Sequence, residues 1–204
     1  MPTQTFVNLP KEKKDKILAA ARKEFSSTAF EEASINKIVK EAGIPRGSFY
    51  MYFADKNDLL GVLLEEFRNQ YLTFLKKKAA RSKGDLKEMV VGIHDFILFA
   101  SRDQENCGLI RNFLLYSASS PEHIANQFFQ NMVNNFINVV DRSPFKRMDD
   151  DYVMQVVESC FAILKETIHH TLVSDRSFKA SHERLENLLE IVSYGYLKEG
   201  DTIA

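Results

Sequence analysis

Between residues 56 and 80 the apolar side chains of Leu59, Leu60, Leu63, Leu64, Phe67, Tyr71, Phe74 and Leu75 recur every three or four positions. That spacing gathers them on one face of an α-helix and scatters them over both faces of a strand, so it predicts a long amphipathic helix. At ~1.5 Å per residue the helix is about 37 Å long. Asp55 and Asp58 stand at its start with N-cap and N3 spacing, where carboxylates suit free backbone N–H groups.

The rest of the chain repeats this period. A first helix is expected from about 10 to 27, with Pro10 in its first turn and Ile17, Leu18, Ala21 and Phe25 on its apolar face. A second runs over 34–42. Ser34 suits its N-cap by accepting a backbone N–H through its hydroxyl, and Gly43 suits a left-handed residue at its end. A third, over 45–52, opens at Pro45 and turns Phe49 and Phe53 inward. Such a short helix containing a glycine must be held by its neighbours. Residues 79–85 are polar, carry Gly84 and read as a hinge or loop. Further helices are expected at 86–101, 106–118, from Ser120-Pro121 to about 140, 150–173 and 180–198. No segment has a period of two, and only eight Gly and five Pro interrupt 204 residues. The fold class is therefore all-α, with about nine helices.

Several function classes fall away. No apolar run approaches the ~18 residues of a membrane span, and the first residues lack the pattern of a secretory leader. Cys107 and Cys160 form neither a disulfide framework nor a metal spacing, which fits a cytoplasmic location. No phosphate loop, nucleophile elbow or metalloprotease motif is present, so no catalytic residue, cofactor or metal ligand set is expected, and the chain does not read as an enzyme. Glu166 and His170 are four apart on one helix face but lack an evident third ligand. The net charge is −1. It hides Lys11, Lys13, Lys14, Lys16, Arg22, Lys23, Lys37, Lys40, Arg46 and Lys56 near the N-terminus, although acidic residues are interleaved with them.

The first three helices have the proportions of a helix-turn-helix: 34–42 as support, Gly43-Ile44 as the turn and 45–52 as the recognition helix. Such a helix lays its N-terminal residues on base edges in the major groove. Arg46 suits a bidentate pair with guanine, and Ser48 suits a base or a phosphate. Tyr50 and Tyr52 offer hydroxyls to phosphates, and Lys56 adds charge at the N-terminus of the long helix. Ser34, Lys37, Pro45, Gly47 and Met51 complete the expected DNA-binding set.

The run from Ala42 to Leu60, with Gly43-Ile44-Pro45-Arg46-Gly47-Ser48-Phe49-Tyr50-Met51-Tyr52-Phe53 at its centre, resembles the DNA-binding signature of the TetR (tetracycline-repressor) family. Ile17, Ala20, Ala21, Phe25, Phe30, Ile35 and Ile38 extend the resemblance over about 10–65. Ala29 departs from it where many members carry Gly, and Met51 stands where an aromatic or polar residue is common.

The resemblance implies a division into residues 1–54, which bind double-stranded operator DNA, and residues 55–204, which bind an effector and form a homodimer. It implies a transcription regulator, a repressor in the commoner mode, released by a small and largely apolar effector. An activator, a ligand-independent regulator and a helical protein-interaction module are the alternatives. Phe67, Tyr71, Phe96, Phe99, Phe113, Tyr116, Phe128, Phe136 and Phe161 suit an aromatic effector pocket, and each also suits plain core. His94 and Asn112 suit orienting a ligand. The resemblance also implies that the last two helices pair with their twofold mates. The residues concerned are Val157, Phe161, Leu164, Ile168, Leu185, Leu188, Leu189, Val192 and Tyr196, with Gly195 permitting close approach.

Overall fold

The computed structural model describes residues 2–119, 124–174 and 177–198. Among them the chain forms ten α-helices and no strand: α1 (Gln4–Val7), α2 (Lys11–Ser27), α3 (Ile35–Glu41), α4 (Arg46–Tyr52), α5 (Lys56–Ser82), α6 (Leu86–Ala100), α7 (Gln104–Ser119), α8 (Ile124–Ile137), α9 (Asp150–Ser174) and α10 (Phe178–Tyr196). A 3-10 turn at Phe30–Glu32 joins α2 to α3. The helix start expected at Ser120-Pro121 lies outside the described residues.

Two units divide these elements. One holds residues 1–70 and 101–128, the other residues 71–100 and 129–204. In the first, α2 packs against α3 and α7, and α3 and α1 pack against α4. Its core includes Ile17, Phe25, Phe49, Phe53 and Leu59, all essentially sealed from solvent. In the second, α6, α9 and α10 pack against one another around Ile93, Val153, Val157, Cys160 and Leu185.

Local chemistry explains the boundaries. Asp55 Oδ1 accepts the N–H groups of Asn57 (2.8 Å) and Asp58 (3.0 Å), while Asp58 reaches back to the Ala54 N–H (3.0 Å). This reciprocal cap opens α5 where the spacing places it. The expected hinge at 79–85 is shorter than its polarity suggests. Helix α5 continues to Ser82 and ends only at Lys83 and Gly84, both left-handed, with φ of 54° and 80°. Gly84 is required there. A Cβ would lie 2.7 Å from the Asp141 nitrogen and 2.8 Å from the Val139 oxygen, where the two backbones meet through an Asp141 N–H to Gly84 carbonyl bond of 2.8 Å. Helix α10 starts at Phe178 under a Ser177 cap. It stops at Tyr196, because Leu197 instead bridges Phe145, whose ring packs edge-on against Tyr196.

Candidate nucleic-acid interface

The turn between α3 and α4 is built as a Schellman motif. The Ile44 N–H bonds the Val39 carbonyl (3.0 Å), and the Gly43 N–H bonds the Lys40 carbonyl (3.3 Å). Gly43 takes φ +66°, which a glycine adopts without steric cost. Val39 and Ile44 on either side are buried. Pro45 then holds the N-cap position of α4.

Helix α4 has two faces. Inward, Phe49 and Phe53 are fully buried with ring centroids 5.4 Å apart, and Phe6 of α1 packs 4.7 Å from Phe53. Outward, Pro45, Arg46 and Gly47 are exposed, as are Tyr50 and Met51, and Ser48 is half-buried. A Cβ built on Gly47 meets nothing within 4 Å, so α4 presents bare backbone at this point. Lys37 of α3 is exposed as well. The structure thus brings Lys37, Pro45, Arg46, Gly47, Ser48, Tyr50 and Met51 together on two adjoining short helices.

Three expected members stand apart from this set. Tyr52 is buried, its ring packed near Phe6 and Phe53 with the Lys13 ammonium 5.8 Å away. The Lys56 ammonium donates to the carbonyls of Phe30 (2.7 Å) and Glu31 (2.5 Å) and lies over the Phe30 ring, so it fastens the 3-10 turn. Ser34 holds the N-cap position of α3, yet its hydroxyl makes no cap bond. Instead the buried Glu24 of α2 accepts the Ser34 N–H at 2.9 Å, with the Lys37 ammonium 3.6 Å from the same oxygen. All three differences have one cause: a partner distant in sequence, Phe6, the Phe30 carbonyl or Glu24, engages the group.

Two supports were not anticipated. Thr3 donates its N–H to the Tyr52 carbonyl (2.9 Å) and its hydroxyl to the Met51 carbonyl (2.7 Å), satisfying the C-terminus of α4. The sequence signal is Phe6, an apolar residue three positions on. On α7, Asn112 donates to the carbonyls of Phe25 (2.9 Å), Ser26 (3.2 Å) and Thr28 (3.0 Å), closing the end of α2. Its amide is therefore a helix cap, not a ligand-orienting group.

The nine aromatic residues proposed from sequence to line an effector pocket separate into groups. Phe67, Phe113 and Phe128 cluster in the first unit, with Phe128 6.0 Å from Phe67 and 5.4 Å from Phe113. Tyr116 instead packs on Phe30 (4.2 Å) and donates to Asn57 Oδ1 (3.0 Å). In the second unit, Tyr71 is fully buried and donates to the Met132 carbonyl at 3.1 Å, and burial raises its ionisation well above the usual phenol value. Phe136 and Phe161 meet edge-on at 5.2 Å, Phe96 stacks on Phe74 at 4.9 Å, and Phe99 is exposed.

The residues expected at a dimer surface also divide. Val157, Phe161, Leu164, Ile168, Leu185, Leu189 and Tyr196 are buried within the single chain. Leu188 and Val192 are half-buried, while Ile191 and Tyr194 of α10 and Val173 of α9 are exposed. Glu166 is exposed and His170 half-buried. Cys160 is a buried thiol whose pKa burial pushes up to about 12, and Cys107 is free. No described helix is long and apolar enough to cross a membrane.

Residues 17–63 match the family model described as bacterial regulatory proteins, tetR family. Among curated proteins the chain is similar to the uncharacterized HTH-type transcriptional regulator YvdT of Bacillus subtilis (strain 168), at 40% identity over 76 residues, or 37% of each chain. The chain spans between about a third and a half of the length of the first curated relatives it matches. Its fold is similar to that of FadR from Bacillus subtilis, solved in complex with stearoyl-CoA, with TM-score 0.63 and 18% identity over 86% of this chain and 96% of that one. It is likewise similar to SmeT of Stenotrophomonas maltophilia, a multidrug efflux pump repressor solved with triclosan, with TM-score 0.66 and 15% identity over 93% and 94% of the two chains.

Proposed function

We propose that the chain is a homodimeric DNA-binding transcription regulator of the tetR type, whose family model residues 17–63 match, and a repressor released by a small apolar effector. The observation that carries this reading is the two-sided α4. Phe49 and Phe53 lock it to the core, while Arg46, Gly47, Tyr50 and Met51 face solvent beside Lys37. Lys37 also lies 3.6 Å from Glu24 and the Tyr50 ring packs edge-on against Phe49, while the outer ends of all five residues are open to solvent. They have the chemistry that reads and grips a duplex: a guanidinium for guanine, a phenol and an ammonium for phosphates, and a glycine backbone that permits close approach.

One recognition helix binds too weakly to select a site, so the active species is a dimer reading two half-sites about 34–36 Å apart. The functional division falls near residue 54, with residues 55–204 given to effector binding and dimerisation. Two neighbours of the same fold were solved with ligands that carry large apolar parts, stearoyl-CoA and triclosan, which supports an apolar effector here. The Phe67, Phe113 and Phe128 cluster is the candidate wall for it. Helix α5 runs from Lys56 beside the helix-turn-helix to Ser82 without a break and is the candidate lever. An effector that favours the DNA-free form by about 1–3 kcal/mol would act as the release signal.

Selection of bound duplexes from a random library, followed by salt-dependent titration, tests the reading. Wild type is expected to enrich a palindrome. The Arg46→Ala variant is expected to lose about 1–3 kcal/mol and its preference at one base pair of each half-site. Tyr50→Phe is expected to lower the salt-independent part of the affinity while leaving base preference intact. An absence of any enriched motif, or unchanged affinity in both variants, would reject α4 as the DNA-reading element.

A further inference from the structure

In the second unit, α6 and α10 meet at a cluster of nitrogen and oxygen donors that the DNA-binding reading does not use. His94 and Asp95 come from α6, and Ser181, His182 and Glu186 from α10. Asp95 Oδ1 lies 2.9 Å from His94 Nδ1 and 2.9 Å from His182 Nδ1. One donor atom from each of His94, Asp95 and His182 lies within 4.8 Å of the other two. From this arrangement we propose that His94, Asp95 and His182 form a binding site for a divalent transition-metal cation of the zinc, cobalt and nickel class.

The donor set fits that class. Two imidazoles and one carboxylate suit borderline first-row cations, and they suit calcium or magnesium poorly. Two ligand atoms 2.9 Å apart, each ~2.05 Å from a shared metal, subtend about 90° at it, the angle between neighbouring ligands in octahedral and five-coordinate sites. Solvent or a further ligand completes the coordination. The access route is present too, because His94 is sealed from solvent while Asp95 and His182 are partly exposed.

The outer groups hold the His94 imidazole in the ligating orientation. His94 Nε2 is 2.8 Å from Ser181 Oγ, Ser181 Oγ is 2.6 Å from Thr171 Oγ1, and Thr171 Oγ1 is 2.8 Å from the Thr167 carbonyl. Proton directions along this chain are linked. Thr171 donates its hydroxyl to Ser181 Oγ, which leaves the Ser181 proton for His94 Nε2 and places Nδ1–H against the Asp95 carboxylate at 2.9 Å. A cation bound by Nδ1 and the carboxylate takes the place of that proton; Nε2 then carries the imidazole proton, Ser181 accepts it, and the two hydroxyl protons turn towards Thr171 and the Thr167 carbonyl. The second imidazole has a looser neighbour, with His182 Nε2 3.6 Å from Glu186 Oε1, beyond hydrogen-bond distance. Ligating histidines commonly have such partners on the nitrogen away from the metal, and losing one weakens binding by about 10–100-fold.

The site stands independently of the DNA-binding reading and is tested on the full chain, purified without a polyhistidine tag and stripped with chelator. Cobalt(II) is the probe, read by its visible ligand-field absorption, and zinc(II) is then added to displace it while thermal stability is followed. One equivalent of cobalt is expected to bind. His182→Gln and Asp95→Asn, both at partly exposed positions that a folded chain tolerates, are expected to weaken binding tenfold or more, and Ser181→Ala by about tenfold. His169→Gln combined with His170→Gln is expected to leave binding unchanged. Absence of a stoichiometric cobalt spectrum in the wild type would overturn the proposal. Equal affinity in His182→Gln and Asp95→Asn would do the same, as would loss of binding in the His169 and His170 variant alone.

Discussion

Gly47 and Gly43 sit four residues apart in one motif and answer to different constraints. Gly43 is fixed by a left-handed φ of +66°, a backbone requirement of the turn. Gly47 lies in ordinary helix with nothing within 4 Å of a built Cβ, so the folded chain gains nothing from its lack of a side chain. Replacing it with alanine should raise stability by about 0.5–1 kcal/mol, measurable by denaturant titration. If the bare backbone serves approach to DNA, the same Gly47→Ala variant should bind its selected duplex about tenfold more weakly, as an added methyl at a tight contact costs roughly 1–3 kcal/mol. Gain of stability with undiminished binding would place Gly47 off the contact surface. Residues whose role depends on the neighbouring chain segment, such as Gly43, Asp55 and Asp58, were legible in the sequence. Ser34, Tyr52 and Lys56 were not, because Glu24, Phe6 and the Phe30 carbonyl that claim them come from elsewhere in the fold.

At the scale of elements, the helices themselves were legible almost throughout, since periodicity and capping are local. What periodicity does not reveal is which helix a stripe grips. Helix α7 illustrates this with Gly108, Asn112 and Tyr116, spaced four apart on one face. Gly108 lets α7 approach the end of α2, Asn112 caps it, and Tyr116 packs on the turn that follows. A sequence reading assigns Tyr116 to a ligand pocket because an aromatic on a helix face looks the same in either setting. A Cβ at position 108 would lie 2.3 Å from the Ser26 carbonyl oxygen, a backbone atom that cannot swing aside. Gly108→Ala should therefore destabilise the fold by about 1–3 kcal/mol despite alanine's better helix propensity, lowering the thermal midpoint by several degrees. A midpoint equal to or above wild type would mean that α7 and α2 are not held at this distance in solution.

At the scale of the whole molecule, a dimer needs an apolar surface that a second copy can cover. Most of the stripe residues of α9 and α10 fill the core of one chain, so they have no face left for a partner. The outward side of α10 remains, with Leu188 and Val192 half-buried, Ile191 67% exposed and Tyr194 62% exposed. Gly195 next to them has no atom within 4 Å of a built Cβ, leaving room for a helix to approach closely. In a twofold interface one substitution enters twice, each copy facing the partner's equivalent surface. Ile191→Glu would bring two carboxylates into that surface, and removing each from water without a partner costs several kcal/mol. The expected result is a concentration-dependent wild-type dimer in sedimentation velocity, a dimer dissociation constant at least about a hundredfold higher in Ile191→Glu, and unchanged helical content because the side chain is exposed in the protomer. DNA affinity for the palindrome should fall in step, since two half-sites are then read by separate molecules. A variant that remains dimeric at wild-type strength would move the interface away from this side of α10; a wild type that is monomeric at all concentrations would remove the dimer from the proposed mechanism.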